Sequence, residues 1–525
     1  MQMVFVNGTI HTMEPDGSDA TWARVLDGII DHVGRGAPDV AGADVFDLKG
    51  RSLLPGFQDA HVHPPHGGMA MIRCDLHGLR DLGEYQAAIV AYGEAHTDRL
   101  WITGGGWPME TMPGGIARAE WIDAVLPDRP VLLTSSEGHA AWANTRALEI
   151  AGIDATTPDP PDGRIERDPD GTPNGTLQEG AEDLVARHAP AEDVADYVEA
   201  ILAAQDHLIG LGITALQDAW VTDAMHEAYR SIASEGRLLQ HVTGALWWDR
   251  SRGIEQLAGI LDRSRQGVGR YVPAAVKLMI DGVCENGTAA MVAPYADTDD
   301  TGITFIDRET LLTAVPRIMA SGLQPHFHAI GDGAIRDALD AVAGGDPSDI
   351  AHTRPHIAHI QVIDPADVGR FAHIGVAANA QALWACNDGC MRDLTAPRLG
   401  SERTAWQYPF RSLLDTGALL AGGSDWSVST ADVFAQIAVA VTRTARDNGG
   451  AFLPHQAITP YEALRAFTMG SAFVNHRDHL TGSIAVGKHA DLVVASADPL
   501  VEHDIGGIEV DATFIRGEQV FGRDH

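Results

Sequence analysis

Along the first fifty residues, apolar and polar positions alternate in short runs broken by Gly and Asp. Residues 3–7, 9–13, 22–26, 28–33 and 44–47 each carry this pattern, which predicts a small β-sheet. The far end repeats it, with a strand over 492–495 after Gly487-Lys488-His489-Ala490-Asp491 and a hairpin near 512–521. Two such ends flanking a different middle imply that residues 1–52 and 478–525 meet in one small β-sandwich domain.

Between them, apolar strands alternate with helical stretches, the pattern of parallel βα units. Eight strands are expected, over 53–59, 214–219, 241–247, 275–281, 324–330, 357–361, 376–381 and 419–425. Helices such as 334–343 and 365–374 separate them. Eight closes a (β/α)8 TIM barrel, placed over residues 53–477. The strand-like segments 101–104 and 131–134 belong to an insertion after the first barrel strand, residues 64–190, expected to cover the barrel mouth. Residues 154–170, rich in Pro, Asp and Gly, read as a surface loop.

Charge narrows the function. A net −35 over 525 residues argues against nucleic acid as a partner, since phosphate backbones need a basic face, and disfavours an anionic membrane surface. No apolar run approaches a membrane span, and the amino terminus lacks the basic and apolar regions of a signal peptide. Four scattered cysteines do not make a disulfide framework, so a reducing cytoplasm is the expected location. Cys386 and Cys390 could share a helix face as metal ligands, but no second pair completes a zinc site. The partner expected is a small-molecule substrate, with a homodimer left open.

Lys49, Lys277 and Lys488 are the only lysines. Arginine supplies all the other basic charge, so each lysine is a candidate for chemistry that a guanidinium cannot perform. Lys277 lies in the apolar run Ala275-Val276-Lys277-Leu278-Met279, where an unpaired ammonium is costly. It either pairs with an acid such as Asp281 or loses its proton and takes up carbon dioxide as a carbamate able to bridge two ions.

His61 and His63 sit two apart after an apolar strand, so both imidazoles point one way. His328, His359 and Asp425 end later strands. Singly, each has a bland reading as a core histidine or a helix cap. Together, four His, one Lys and one Asp fall where barrel strands end, and there such barrels keep their active sites.

The motifs Leu54-Pro55-Gly56-Phe57-Gln58-Asp59-Ala60-His61-Val62-His63, Gly138-His139-Ala140-Ala141-Trp142, Val276-Lys277-Leu278, His328-Ala329-Ile330-Gly331-Asp332, Ala358-His359-Ile360-Gln361 and Gly423-Ser424-Asp425 closely resemble the amidohydrolase superfamily. The resemblance is to its family 3, or YtcJ-like, branch, which includes N-substituted formamide deformylases, and it covers nearly the whole chain. It implies two divalent ions, zinc first, with manganese, iron or cobalt as alternatives. His61, His63 and Asp425 would hold one ion, His328 and His359 the other, and carboxylated Lys277 would bridge them. The sequence departs from many relatives over Val283-Cys284-Glu285-Asn286-Gly287-Thr288, and His326 is unusual.

The expected reaction is hydrolysis of a carbon–nitrogen bond by a metal-activated hydroxide, with Asp425 as general base and then acid. His139 is the candidate oxyanion partner. A deaminase or esterase-like hydrolase on the same site, or a non-catalytic regulatory relative, are the rival readings. Seven tryptophans near the expected mouth, Trp107, Trp142, Trp220, Trp247, Trp248, Trp384 and Trp426, suggest an apolar or aromatic substituent on the amide. Trp107, Trp142 and His326 are the expected substrate contacts.

Overall fold

Gly56 divides the first expected barrel strand in two. Without a side chain there the backbone passes close to Thr214, whose Oγ1 would lie 2.5 Å from a Cβ. Before it, Ser52–Pro55 pairs antiparallel with Leu492–Ala495 and parallel with Thr9–His11. After it, Phe57–Val62 (β1) enters the barrel. One expected strand over 53–59 is thus two, serving different sheets. The computed structural model describes residues 2–15, 17, 19–445 and 449–523.

The two chain ends build a sandwich. A four-stranded sheet contains Ile29–Gly34, Trp22–Leu26, Gln2–Val6 and Asp44–Asp47, in that order. A six-stranded sheet draws on both ends of the chain, ordered Glu518–Gly522, Val510–Ile515, Leu492–Ala495, Ser52–Pro55, Thr9–His11 and Asp19–Ala20. Phe5, Leu53, Leu492 and Phe514 fill the space between them, with Phe5 and Phe514 edge to face at 5.1 Å.

After β1 the barrel continues with Ile213–Val221 (β2), His241–Trp247 (β3), Tyr271–Met279 (β4), Gln324–Ala329 (β5), His356–His359 (β6), Ala377–Ala380 (β7) and Leu420–Gly422 (β8). Neighbours pair in parallel from β1 through β8. Loop hydrogen bonds complete the ring, the Asp425 amide to the His61 carbonyl at 2.8 Å and the His63 amide to the Trp426 carbonyl at 2.7 Å. Helices Asp332–Ala343 and Pro365–Ile374 follow β5 and β6.

Strand alternation decides what faces the axis. On β5, Phe327 and Ala329 join the apolar layer under the helices. Gln324, His326 and His328 alternate with them, so the buried interior is polar. Between β1 and β2 the inserted segment forms a further six-stranded sheet, ordered Gly163–Arg167, Pro173–Glu179, Ala140–Ala143, Val131–Ser135, Ile102–Trp107 and Cys74–Asp75. Among the described residues, no helix is long and apolar enough to cross a membrane.

Candidate metal centre

Three candidate ligands converge where β1 and β8 end. Ligand atoms of His61, His63 and Asp425 all lie within 4.8 Å of one another. Asp425 Oδ1 is 3.2 Å from His61 Nε2 and 3.0 Å from His63 Nε2. Neither His61 Nε2 nor Asp425 Oδ1 has a partner in hydrogen-bond geometry, and both are buried. Buried polar atoms without partners are costly, and lone pairs aimed at one point are what a cation satisfies. Burial lowers the His61 pKa to about 3, keeping the ring neutral. Burial pushes Asp425 upward, but the surrounding His61, His63 and His359 outweigh it and hold the carboxyl well below its usual range.

Local structure fixes this geometry. Asp59 Oδ1 accepts the amides of His61 and Ser424, each at 3.0 Å, clamping the end of β1 to the end of β8. Asp425 adopts a positive φ of 55°, a sparsely populated conformation for a non-glycine residue. Its carboxylate faces imidazoles and caps no helix.

The remaining expected ligands stand around this group. His359 Nδ1 is buried without a hydrogen-bond partner, 3.9 Å from Asp425 Oδ2, and its ring lies parallel to Trp384 at 5.3 Å. Gln381 Oε1 holds the His359 amide at 2.6 Å. His328 directs Nε2 to the Gly282 carbonyl at 3.3 Å, and its ring lies 4.4 Å from that of His359. Lys277 is buried, and its pKa falls from 10.5 to about 7 because burial outweighs the pull of Asp425 and Asp218. Asp281 does not neutralise it. The Asp281 carboxylate accepts the amides of Ala290, Ile330 and Gly331 instead.

His139 lines the same cavity. Its Nδ1 lies 3.1 and 3.0 Å from the two Glu179 oxygens. Burial works against the imidazolium, but Glu179 outweighs it and the His139 pKa ends raised. Glu179 is fixed in turn by Thr288 Oγ1 at 2.7 Å and Asn286 Nδ2 at 3.4 Å. The 283–288 segment therefore ties β4 to the inserted sheet and orients His139. Nothing in the sequence pointed to Glu179, forty positions from His139.

A cavity of about 1700 Å³ opens above these residues, with Trp220, Trp384, His66, Leu132, Met279 and Ile330 in its walls. Trp220 stacks on Trp247 at 4.1 Å. Three expected substrate contacts are corrected. Trp107 and Trp142 are wholly buried in a core shared by the inserted sheet and the segments that follow β4, β5 and β6, and donate their indoles to the Leu133 and Arg118 carbonyls, each at 2.8 Å. His326 lies beneath the ligands in the barrel interior, with Nε2 2.7 Å from His61 Nδ1. Strand alternation pointed it to the axis but could not say at what depth. Cys386 and Cys390 lie in the cavity wall, outside the ligand group.

A family model described as the amidohydrolase family matches residues 44–521. The chain belongs to the amidohydrolase family. Within the curated proteins of this kind it is 31% identical to Protein LONG AFTER FAR-RED 3 of Arabidopsis thaliana, over 99% of this chain and 91% of that one. It is 27% identical to an N-substituted formamide deformylase of Arthrobacter pascens, over 98% and 97%. Among solved structures it is similar to an uncharacterized metal-dependent hydrolase of Pyrococcus horikoshii, with a TM-score of 0.75 and 25% identity, covering 96% of this chain and 99% of that one. The family makes the chain a hydrolase that uses divalent metal.

Proposed function

We propose that this chain hydrolyses the carbon–nitrogen bond of an N-substituted amide bearing an apolar or aromatic group. One observation carries the reading: the His61, His63 and Asp425 ligand atoms meet at the floor of a cavity walled by Trp220 and Trp384. The similarity to a formamide deformylase supports the bond type. Neutral imidazoles with a carboxylate suit zinc, manganese, iron or cobalt. His61, His63 and Asp425 would hold one ion, and His328 and His359 a second. Lys277, its ammonium destabilised by burial, would join them as a carbamate. Bound ions supply a Lewis acid for the amide carbonyl and acidify water.

The protein's own groups then handle protons and charge. Asp425, kept ionised, takes the proton of the attacking water and passes it to the leaving nitrogen. His139, held through Nδ1 by Glu179, offers Nε2 to the oxyanion. The aromatic walls bind the apolar substituent and exclude water.

Metal analysis and product analysis test this together. Protein purified without chelator should carry close to two divalent ions, and stripping them should abolish hydrolysis. N-aryl and N-alkyl amides should outrun small polar amides and nucleobases, releasing an amine. Preferred turnover of nucleobases with release of ammonia would replace the amide reading with deamination.

A further inference from the structure

Beneath the candidate ligands, the barrel axis holds polar side chains whose hydrogen-bond direction can be followed from two backbone carbonyls upward. Gln324 Nε2 donates to the carbonyls of Arg354 at 2.8 Å and Val474 at 2.9 Å. Its Oε1 therefore accepts, from Gln217 Nε2 at 2.9 Å. Gln217 Oε1 then accepts from His356 Nε2, also at 2.9 Å. That leaves His356 Nδ1 as an acceptor, and Asn379 Nδ2 faces it at 3.2 Å. The Asn379 amide is oriented independently, donating to the Ala60 carbonyl at 2.9 Å and accepting Gln381 Nε2 at 3.0 Å. Both His356 nitrogens are thereby committed.

His326 sits on this layer, its ring 4.0 Å from that of His356. Its Nε2 meets His61 Nδ1 at 2.7 Å, and both residues are fully buried. One proton lies between them, with two placements. If His326 donates, His61 carries its own proton on Nε2, and that proton needs an acceptor. Asp425 Oδ1 is 3.2 Å away, yet His61 Nε2 has no partner in hydrogen-bond geometry. If His61 donates, its Nε2 presents a lone pair where the His63 and Asp425 ligand atoms meet. Each placement leaves one buried N–H without a partner, at His61 Nε2 in the first and at His326 Nδ1 in the second, and only the second leaves His61 Nε2 able to take a cation.

We infer that His326 is a positioning residue for the metal centre. It accepts the His61 Nδ1 proton and so holds His61 in the one tautomer and orientation whose Nε2 can take a cation. The inference rests on the metal-centre reading above and assigns His326 no contact with substrate. A histidine that only filled space would be replaceable by any side chain of its size.

Zinc titration of the metal-stripped full-length protein against a chromophoric chelator tests this, alongside the visible spectrum of the cobalt(II)-loaded form. His326→Gln keeps an acceptor near the Nε2 position, whereas His326→Phe fills the space and removes it. The Gln variant should keep the wild-type zinc affinity and cobalt spectrum. The Phe variant should bind zinc about 10–100-fold more weakly, with an altered spectrum. Unchanged affinity in the Phe variant overturns the proposal, as does a folded Gln variant as weak as the Phe one. Should the Phe variant not fold, His326→Leu takes its place with the same expectations. A wild-type protein that binds neither zinc nor cobalt overturns the metal-centre reading instead.

Discussion

Asp59 holds Ser424 and thereby joins the first barrel strand to the last: its Oδ1 accepts the Ser424 amide at 3.0 Å and the His61 amide at the same distance. Both amides are buried, and they position the backbones that carry His61 and Asp425. Asp59→Ala leaves two buried donors unpaired, so stability should fall by about 2–6 kcal/mol, at about 1–3 kcal/mol per orphaned group. Asp59→Asn retains an acceptor and should lose less. Urea unfolding of the metal-free variants measures this, and equal losses for Ala and Asn would show that the clamp is not what Asp59 contributes.

Lys277 gives a test of both sign and chemistry. Its folded pKa of about 7 lies below the ordinary 10.5, so the unfolded chain binds more protons between those values. Stability of the metal-free protein should therefore rise with pH from about 7 to 10.5, relative to Lys277→Met. Lys277→Arg should be inactive, because guanidinium cannot form a carbamate. Thermal melts across that range and one activity assay settle both, and an active Arg variant would remove the bridge.

Asp425→Asn keeps the shape of the carboxylate and cannot take a proton. Turnover should drop by about 10²–10⁴-fold. Metal content is measured on the same sample, so that a loss of ligand is not mistaken for a loss of base. A metal-replete Asn variant that turns over within a few-fold of wild type would move the proton transfer elsewhere.

Glu179 raises the His139 pKa, so Glu179→Gln should lower it. If turnover needs the His139 proton, the alkaline limb of the kcat profile should move to lower pH. A profile that keeps its midpoint while the rate falls would leave Glu179 as a strut.

Trp220→Ala should raise KM for N-aryl amides while leaving kcat nearly unchanged, the signature of lost uniform binding. Small amides that do not reach the Trp220–Trp247 stack should be unaffected. Equal effects on both substrate sizes would place the substituent elsewhere in the cavity.

Most of the barrel was legible because period-two apolar strands alternate with helical stretches, and the parallel order of the eight strands follows that alternation. Of the six candidate ligands expected at strand ends, His61, His63 and Asp425 come together as one group. The division at Gly56 was not legible, since an unbroken apolar run hides a change of sheet. Nor was the fate of Trp107 and Trp142, because the core between the inserted sheet and the barrel's strand-end loops absorbs large aromatics that sequence alone cannot tell from cavity walls. Glu179 and the Gln217–Gln324–His356–Asn379 network escaped for a different reason. Their meaning lies in partners brought together only by barrel closure.

The pairing of Ser52–Pro55 with Leu492–Ala495 has a consequence for how the molecule is made. Ser52–Pro55, just before the barrel strand that carries His61, is synthesised more than 430 residues ahead of its antiparallel neighbour Leu492–Ala495. Until then Ser52–Pro55 offers an apolar edge of unpaired amides and carbonyls, a template for pairing with the wrong chain. A chain that lacks Leu492–Ala495 therefore keeps that edge of Ser52–Pro55 open, next to the strand that carries His61.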